Sequence, residues 1–252
     1  KHDVTLITIW DGEEPRVEVG DGSVYRREDV VPDWDANKDL FYRFTDSCRN
    51  LGFVMAAQMK PDYVLTLDDD VVPLTSPVHR EVDQLTGRWD DPILCHLDTL
   101  SETVPLGWMN TAQRGSVYLR GVPYSVRDEA PVMLSHGVWS GVPDFDGETQ
   151  LGMEEIGAVP KWLPYYVGPI PRGCLFPMCG MNVMVRRDAL SYFYFAPMGI
   201  DTGLNLHRFG DIWLGIALSN AFAARGWAIY SGASTILHTR ASDAAKNFEQ
   251  EK

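Results

Sequence analysis

One stretch decides how the rest of the chain is interpreted: Tyr63-Val64-Leu65-Thr66-Leu67-Asp68-Asp69-Asp70. Its first five residues are all apolar, β-branched or aromatic, which predicts a buried strand. Three consecutive carboxylates at the end of a strand need compensation of their charge. Mg²⁺ and Mn²⁺ prefer carboxylate oxygens and keep positions open for substrate phosphates. Asp68–Asp70 are therefore either a metal and diphosphate anchor or a solvated acidic loop.

Length and charge limit the classes of function. The chain has 252 residues, of which 45% are hydrophobic and 23% charged, as in ordinary soluble globular proteins. A net charge of −13 disfavours duplex nucleic acid and anionic membranes as partners, because both attract clustered Lys and Arg. A small anionic substrate stays compatible with this charge where a metal ion or a local basic patch receives it.

Cysteine usage and hydropathy bear on the compartment. Four cysteines are scattered without a CxxC pair, which is typical of reduced thiols rather than of a disulfide scaffold. We expect a cytoplasmic protein, either free or peripheral to a membrane compartment. No apolar run approaches the about 18 residues of a membrane span, since the longest, 212–224, is interrupted by Ser219 and Asn220. The chain begins at Lys1 without Met, so we expect a natural start to be missing.

The first third of the chain reads as alternating strand and helix. A strand is predicted over 4–10 and ends at Asp11-Gly12, where Asp11 either contacts a ligand or stabilises its own turn. Apolar residues recur at helical spacing over 39–59, which predicts an amphipathic helix that Pro61 ends. Strand, helix and strand in this order predict an α/β fold with a parallel sheet and a right-handed crossover.

Further elements follow with weaker signals. A short helix is predicted over 78–85, a strand over 93–97, and short strands over 117–119 and 132–134. The 93–97 strand would make His96 a core histidine rather than a ligand. Within the first long helix, Asp46 and Arg49 are three residues apart and either pair with each other or point toward the site.

Three features of the second half are chemically suggestive. The turn-rich stretch 169–182 predicts a close backbone approach, either as a packed internal turn or as a sugar pocket. Asp211 is predicted at the N-cap of a helix that ends near Gly226, either for capping or for binding a hydroxyl or base. A last strand over 228–230 leads to 236–240, where His238 is either structural or completes a metal shell.

Several segments together carry a resemblance. The order of strand, triple aspartate, Asp-Ile-Trp and late histidine resembles a GT-A nucleotide-sugar glycosyltransferase. More narrowly, the sequence resembles the reversibly glycosylated polypeptides. This is the UDP-arabinopyranose mutase family, also called glycosyltransferase family 75. The matching segments cover nearly the whole chain in the family's order: 44–49, 66–70, 120–127, 135–139, 142–146, 175–182, 208–213 and 238–242.

The resemblance implies a fold and a ligand set. It implies a GT-A-like, Rossmann-type mixed sheet, mainly parallel and flanked by helices, in a single domain over 1–252. Residues 1–97 would form the nucleotide-binding half and 98–252 the half that binds sugar and acceptor. A UDP-sugar would bind through Mn²⁺ or Mg²⁺. The metal ligands would be Asp68, Asp70 and His238, and the nucleotide contacts Asp11, Asp68, Asp69 and Arg49.

The resemblance also implies a reacting residue. Arg120 matches the arginine that family members glycosylate on themselves. A guanidinium has a pKa above about 12 and is a poor nucleophile while charged. Glycosylation of Arg120 would therefore need either a carboxylate that accepts its proton or an oxocarbenium-like centre that lowers this demand. Asp211 and Asp144 are the candidate carboxylates.

Two departures from the family keep other functions open. Gly210-Asp211 stands where the family has paired aspartates before the tryptophan, and the family's first strand has no counterpart ahead of residue 4. The chain could act as a mutase, as a transferase with a glycan or protein acceptor, or as a non-catalytic subunit of a hetero-oligomer. A nucleic-acid acceptor is disfavoured by the acidic charge. A homo-oligomer or hetero-oligomer is compatible with each reading.

Overall fold

The structure is a computed structural model that describes residues 4–9, 23–25, 45–73, 91–105, 118, 120–127, 129–142, 144–156, 166–198, 209–239 and 243–251. The described strands are β1 (Ile7–Ile9), β2 (Ser23–Tyr25), β3 (Tyr63–Leu67), β4 (Val71–Pro73), β5 (Thr103–Pro105), β6 (Glu129–Gly141), β7 (Gly168–Pro169), β8 (Asn182–Arg186) and β9 (Ala228–His238). The described helices are α1 (Arg49–Met59), α2 (Pro92–Leu100), α3 (Gly147–Glu155), α4 (Gly210–Arg225) and α5 (Ala244–Glu251). Short 3-10 helices cover Asp46–Cys48, Tyr124–Val126 and Arg187–Tyr192.

A mixed sheet organises the described part of the chain. Its strand order is β3-β8-β6-β9-β4, with β5 added to β6 and β7 to β9, while β1 and β2 pair separately. The predicted α/β class with a mixed sheet and flanking helices is confirmed. The expectation of mainly parallel pairing is wrong for the described strands, because only β1–β2 and β6–β9 pair in parallel. In particular, β3 runs antiparallel to its described neighbour β8 rather than forming a described parallel pair with β1.

The helix before the acidic strand end follows from local signals. Thr45 accepts the backbone N–H of Ser47 and begins a 3-10 turn that leads directly into α1. The helix ends at Lys60, which adopts the left-handed conformation at φ 54°. Pro61 then blocks continuation, and β3 spans the predicted residues Tyr63–Leu67. The described part of the predicted 39–59 helix is therefore helical from Asp46 onward.

The predicted strand over 93–97 is wrong, because these residues lie in α2. The Asp91 side chain accepts the backbone N–H groups of Ile93 and Leu94, and Pro92 occupies the first turn. Both are strong helix-start signals. The buried residues Cys95, His96, Thr99 and Leu100 recur at helical spacing. The expectation that His96 belongs to the core is confirmed, since it is fully buried.

The second half ends in a helix and one long strand. Gly226 ends α4 in the left-handed conformation at φ 68°, as the sequence predicts. The N-cap of α4 is Phe209, so the prediction of Asp211 at the N-cap is wrong, and Asp211 lies in the first turn. The strand predicted over 228–230 continues without a break to His238. Gly232, at φ 91°, permits this continuity because a Cβ there would lie 2.1 Å from the carbonyl oxygen of Tyr166.

The core lies on both faces of the sheet. One cluster packs α1 and α4 against the sheet through Phe53, Leu214, Leu218 and Phe222. A second cluster packs α2 against it through Leu100. Helices cover both faces of the sheet, so the ends of its strands stay accessible. The acidic residues lie at the carboxyl end of β3.

Some predictions fall outside the described residues. These are Asp11, the start of the first long helix over 39–44, the short helix over 78–85 and most of the strand over 117–119. Tyr118 is described and belongs to no strand. The division into halves at residue 97 stays a prediction.

Candidate functional site

The ends of β3 and β9 meet beside the acidic residues. The chain turns at Asp68–Asp70 from β3 into β4, and β4 pairs with β9 so that Val71 lies opposite His238. Thr239 donates its backbone N–H and its hydroxyl to the carbonyl oxygen of Asp70, at 3.0 and 2.8 Å. These two hydrogen bonds hold the third aspartate next to the late histidine.

His238 is oriented toward Asp70. Its Nδ1 lies 2.8 Å from the carbonyl oxygen of Val142, which can only accept, so Nδ1 carries the proton. Its Nε2 lies 3.5 Å from Oδ2 of Asp70. In the neutral ring Nε2 then presents a lone pair toward the carboxylate. Metal-binding histidines are commonly fixed by such a hydrogen bond from the other ring nitrogen.

The three predicted metal ligands are not gathered as one cluster. Within the described ranges, no group of three or more His, Cys, Asp or Glu residues is arranged to hold a metal ion. Asp70 and His238 face each other, whereas Asp68 turns toward Arg49. Asp70 would supply one carboxylate oxygen and His238 one imidazole nitrogen to a Mn²⁺- or Mg²⁺-type ion, which would keep its other positions for water and substrate phosphates.

Arg49 links several parts of the site. Its Nη2 lies 2.6 Å from Oδ1 of Asp68 and its Nε 3.8 Å from Oδ1 of Asp46. Its Nη1 donates to the carbonyl oxygen of Gly180 at 3.1 Å, and the guanidinium also lies over the Phe195 ring. Burial acts to lower the pKa of Arg49, but Asp68 and then Asp46 more than offset it, so the pKa is raised. The predicted Asp46–Arg49 pair exists, and it also reaches the acidic strand end.

Asp211 is the most perturbed carboxylate of the site. Its Oδ2 accepts the backbone N–H of Gly180 at 2.8 Å, and its Oδ1 accepts that of Ile212. Burial, reinforced by the nearby charge of Asp46, raises the pKa of Asp211 to about 6, against the lowering effect of the Gly180 N–H and Arg49. A carboxylate poised near neutral pH suits proton transfer.

Asp46 occupies the space beside Gly210. A Cβ built on Gly210 would lie 2.7 Å from Oδ2 and 2.8 Å from Cβ of Asp46. A side chain at position 210 is therefore incompatible with the present position of Asp46. Asp46 and Asp211 are the carboxylates that flank this glycine.

Asp144 is held by a thiol. Sγ of Cys179 donates to Oδ2 of Asp144 at 3.5 Å, within the reach of a sulfur hydrogen bond. Burial, followed by the charge of Asp144, raises the pKa of Cys179 well above its ordinary value. The thiol therefore stays protonated at neutral pH and acts as a donor rather than as a nucleophile.

Arg120 lies on a surface turn. Its side chain is exposed, and the turn continues through Gly121, at φ 109°, into the 3-10 helix at Tyr124. Arg127 supports this turn because it donates to the carbonyl oxygen of Val122 at 3.2 Å and stacks on the Tyr124 ring at 3.9 Å. Among the described residues, no hydrogen bond or ion pair joins Arg120 to Asp144 or Asp211.

A buried polar network lies directly behind the site. Asn182, which is fully buried, donates through Nδ2 to Val138 and Ser234, so its Oδ1 accepts from Nε2 of His96 at 2.8 Å. Nδ1 of His96 then accepts the hydroxyl of Ser135. Burial lowers the pKa of His96 to about 4, despite the Asn182 contact, so the ring stays neutral.

Sequence reasoning missed some residues of this site. The sequence indicates no role for Asp46 beyond pairing with Arg49 or pointing toward the site, and it places Cys179 and Gly180 only within a turn-rich stretch. The combination of turn-forming and apolar residues in 169–182 did predict a close backbone approach. It did not identify Asp144, Asp211 and Arg49 as the groups approached, because they come from three distant parts of the sequence.

Comparisons with known proteins give the family. The sequence profile of the family described as "Reversibly glycosylated polypeptide" matches residues 3–252. UDP-arabinopyranose mutase 3 of Arabidopsis thaliana is 30% identical over 257 residues, covering 98% of this chain. Probable UDP-arabinopyranose mutase 1 of Pisum sativum is 29% identical over 98% of this chain. UDP-arabinopyranose mutase 1 of Oryza sativa subsp. japonica is 28% identical over the same share.

The chain spans 66% of the length of each of these relatives. In the described residues, no helix is both long and apolar enough to cross a membrane. The family profile covers the strand-end aspartates, the turn at Arg120 and the late histidine in one continuous match. On this match, the chain belongs to the reversibly glycosylated polypeptide family.

Proposed function

We propose that this chain acts on a UDP-sugar and interconverts the ring form of its sugar, as the names of its relatives indicate for those proteins. The observation that carries the proposal is the juxtaposition of Asp70 with His238, whose Nδ1–H is fixed on Val142. This arrangement offers a carboxylate oxygen and an imidazole nitrogen at the edge of the sheet where α/β proteins bind ligands.

The proposed ligand arrangement divides the acidic residues between two roles. Asp70 and His238 would hold Mn²⁺ or Mg²⁺, and Asp68 and Asp69 would lie on the nucleotide side, together with Asp11. When bound, the cation would neutralise the diphosphate and make UDP a better leaving group. Arg49 would serve the nucleotide side by fixing Asp68, since the guanidinium already contacts that carboxylate.

The proposed reacting residue is Arg120. A guanidinium nitrogen of Arg120 would form a bond to the anomeric carbon of the sugar as the bond from that carbon to UDP breaks. The proton lost by the guanidinium would pass to a carboxylate. Asp211, with a pKa of about 6, is ionised at pH 7 and is a base of suitable strength. Asp144 is the second candidate base.

Product analysis with UDP-arabinose, UDP-glucose and UDP-galactose, with and without Mn²⁺, tests the proposed activity. We expect ring-form interconversion of a UDP-pentose that requires the cation. Asp70→Asn should lower turnover by at least about 100-fold. The exposed helical carboxylate Glu154 provides the control, and Glu154→Gln should match the wild type. Unchanged turnover in Asp70→Asn contradicts the proposed ion site.

Intact-mass analysis with peptide mapping tests the role of Arg120. We expect a covalent sugar increment on the peptide that contains Arg120, and its loss in Arg120→Lys. Turnover without an adduct instead indicates transfer to an external glycan or protein acceptor. Neither turnover nor adduct indicates a non-catalytic subunit, a reading that the Gly210 departure favours.

We also propose a reducing, cytoplasmic location and assembly with copies or relatives of this chain. The location is supported by the cysteines, because Cys48, Cys95, Cys174 and Cys179 form no disulfide with one another. Light scattering of the purified chain, alone and mixed with a catalytically active relative, measures the assembly. A monomer in both samples would contradict the oligomer.

A further inference from the structure

We propose that the segment Cys179–Gly180–Met181 is the positioning element that fixes Asp144, Asp211 and Arg49 relative to the end of β3. This inference rests on the proposed function, because it assigns how the reacting carboxylates are held. The residues of this segment are positioning residues, since the groups they hold, rather than they themselves, would meet the substrate.

Successive groups of this segment each contact a different part of the site. Sγ of Cys179 donates to Asp144, and the N–H of Gly180 donates to Asp211. The carbonyl oxygen of Gly180 accepts from Arg49 at 3.1 Å. The carbonyl oxygen of Met181 accepts the backbone N–H of Asp68 at 3.4 Å. Three consecutive residues therefore join the chain after β6, the first turn of α4, the start of α1 and the end of β3.

At Gly180 the backbone of this segment passes close to the side chains of Asp211 and Arg49. A Cβ at position 180 would lie 3.2 Å from Cβ of Asp211 and 3.4 Å from Nη1 of Arg49. These distances are tight without being prohibitive, so an alanine would move Asp211 or Arg49 by a few tenths of an ångström. Displacements of this size leave a fold intact but lower the rate of a reaction that depends on orientation.

The segment can hold these side chains in place because the residues on either side of it, Met178 and Asn182, are themselves fixed by packing and hydrogen bonds. Met178 is 1% exposed and packs against Gly215 of α4, where a Cβ would lie 2.4 Å from Cβ of Met178. On the other side, Asn182 is fully buried in hydrogen bonds to His96, Val138 and Ser234. The segment is thus fixed to α4 on one side and to the sheet and α2 on the other.

The thiol of Cys179 suits this role over a wide pH range. The pKa of Cys179 is raised by burial, so the S–H is kept as a donor to Asp144 at neutral and mildly alkaline pH. A serine at this position would keep a donor, whereas an alanine would remove it. This gives a conservative variant that separates hydrogen bonding from packing.

The test compares Gly180→Ala, Cys179→Ala and Cys179→Ser with Gly152→Ala, which places a methyl group in open space in α3. We expect Gly180→Ala and Cys179→Ala to lower kcat by at least about 10-fold. The thermal midpoint should stay near the wild-type value in both, and UDP affinity should fall less than kcat, because Asp211 and Asp144 belong to the reacting side and Arg49 to the nucleotide side. Cys179→Ser should recover most of the rate, and Gly152→Ala should match the wild type. An unchanged kcat in Gly180→Ala, or a loss explained by the unfolded fraction, overturns the proposal.

A second readout separates this inference from the proposed function. Carbon-13 NMR titration of the Asp211 carboxyl group measures its pKa whether or not the chain turns over a UDP-sugar. Displacement of the Gly180 N–H in Gly180→Ala should raise that pKa further, because this donor lowers it in the wild type. An identical pKa in both proteins overturns the positioning role. A wild-type chain without turnover, combined with a shifted pKa, overturns only the proposed function.

Discussion

Asp211 shows how one residue combines several environmental effects. It accepts two backbone N–H groups, which favour its charged form, yet burial and Asp46 raise its pKa to about 6. A carboxyl group whose pKa is higher in the folded than in the unfolded state binds more protons in the folded state. Folding stability from this group therefore falls as pH rises from about 4 through 6.

Because the stabilising contribution of Asp211 falls as pH rises, replacing this residue should change the pH dependence of stability. Asp211→Asn removes the titration, so the unfolding free energy of the variant should rise relative to the wild type as pH increases from 4 to 7. The relative change should be up to about 2 kcal/mol, and smaller if solvent screens the carboxylate. Urea unfolding of both proteins at four pH values measures it. A difference that does not depend on pH contradicts the raised pKa.

Gly210 gives a second prediction at this scale. Gly210→Ala places a methyl group within 2.8 Å of Asp46, so Asp46 or the start of α4 must move. We expect a cost of about 1 to 3 kcal/mol in unfolding free energy. Gly152→Ala is the matched control, because it is also a helical glycine but has open space around its Cβ position. The control should be neutral or stabilising by up to about 1 kcal/mol, and equal effects in the two variants would show that Asp46 does not fill this space.

Candidate site residues could be named from the sequence where the type of residue itself indicates a chemical role. Three aspartates after a strand predict a cation, and a histidine at the end of the last strand predicts a partner for it. The contact of Arg49 with Asp68 was not predictable, because a pair across 19 positions depends on how α1 packs beside β3. The N-cap assignment of Asp211 failed for a local reason: α4 begins at Gly210, and its N-cap is Phe209, two residues before Asp211.

At the scale of elements, α2 is joined to the sheet by the network of His96, Asn182, Ser135 and Ser234. Ser234 also donates to the carbonyl oxygen of Pro92 in the first turn of α2. Removing one member of such a buried network leaves the groups bonded to it without that partner, so the members are expected to be coupled energetically.

We therefore predict strong coupling between His96 and Asn182. Asn182→Ala should cost about 3 kcal/mol in unfolding free energy, since it leaves the buried His96 Nε2–H without an acceptor and removes the donors to Val138 and Ser234. A double-mutant cycle with His96→Leu should give a coupling of about 1 to 2 kcal/mol. Asn220→Ala, on the exposed face of α4, is the control and should change stability by less than about 0.5 kcal/mol. Additive effects in the cycle would contradict the network.

Element types were predictable from the sequence for β3, α1 and α4, because long periodic patterns end at clear Pro and Gly signals. The strand predicted at 93–97 failed since a short apolar run fits a strand and a buried helix equally well. The Asp91-Pro92 start signal was the information that distinguishes them. The length of β9 was hidden because its small residues, 231–234, resemble a turn until β7 and the chain at Tyr166 pack against Gly232.

At the scale of the whole molecule, two buried neutral histidines lie on the central strands and their flanking helix. Burial lowers the pKa of His136 to about 4, with a smaller electrostatic contribution from the neighbouring His96, and the His136 ring bonds to Ser231 and packs against Phe176. Both histidines have a folded-state pKa below the unfolded value of 6.5. Their contribution to stability is complete above pH 6.5 and is lost as pH falls toward 4.

Acid should therefore destabilise the fold well before most carboxylates titrate. Between pH 7 and pH 5, the protonation of each histidine should lower the unfolding free energy by about 2 kcal/mol. Asp211 should offset about 1 kcal/mol of the combined loss. Urea unfolding at the two pH values measures the net loss of about 2 to 3 kcal/mol. The variant His136→Asn keeps a polar partner for Ser231 without an imidazole, and it should lose less stability over this range. Equal losses in both proteins would show that His136 does not stay neutral in the fold.

The fold class was predictable at this scale and the strand directions were not. Alternation of strand and helix indicates an α/β sheet, but the direction of each strand depends on connections that span up to about 120 residues. β3 and β8 pair across such a distance and run antiparallel. The acidic residues nevertheless lie at the predicted end of a strand, because this prediction depends on where β3 ends and not on the direction of its neighbours.

The central claim is that Asp70 and His238 receive a cation that binds the diphosphate of UDP. Calorimetric titration of UDP, with Mn²⁺ and then with EDTA, tests it most directly in the wild type, Asp70→Asn and Glu154→Gln. The account predicts UDP binding that depends on Mn²⁺ in the wild type and in Glu154→Gln, and a loss of at least about 100-fold in Asp70→Asn. UDP binding of equal strength with Mn²⁺ and with EDTA, or undiminished in Asp70→Asn, would contradict it.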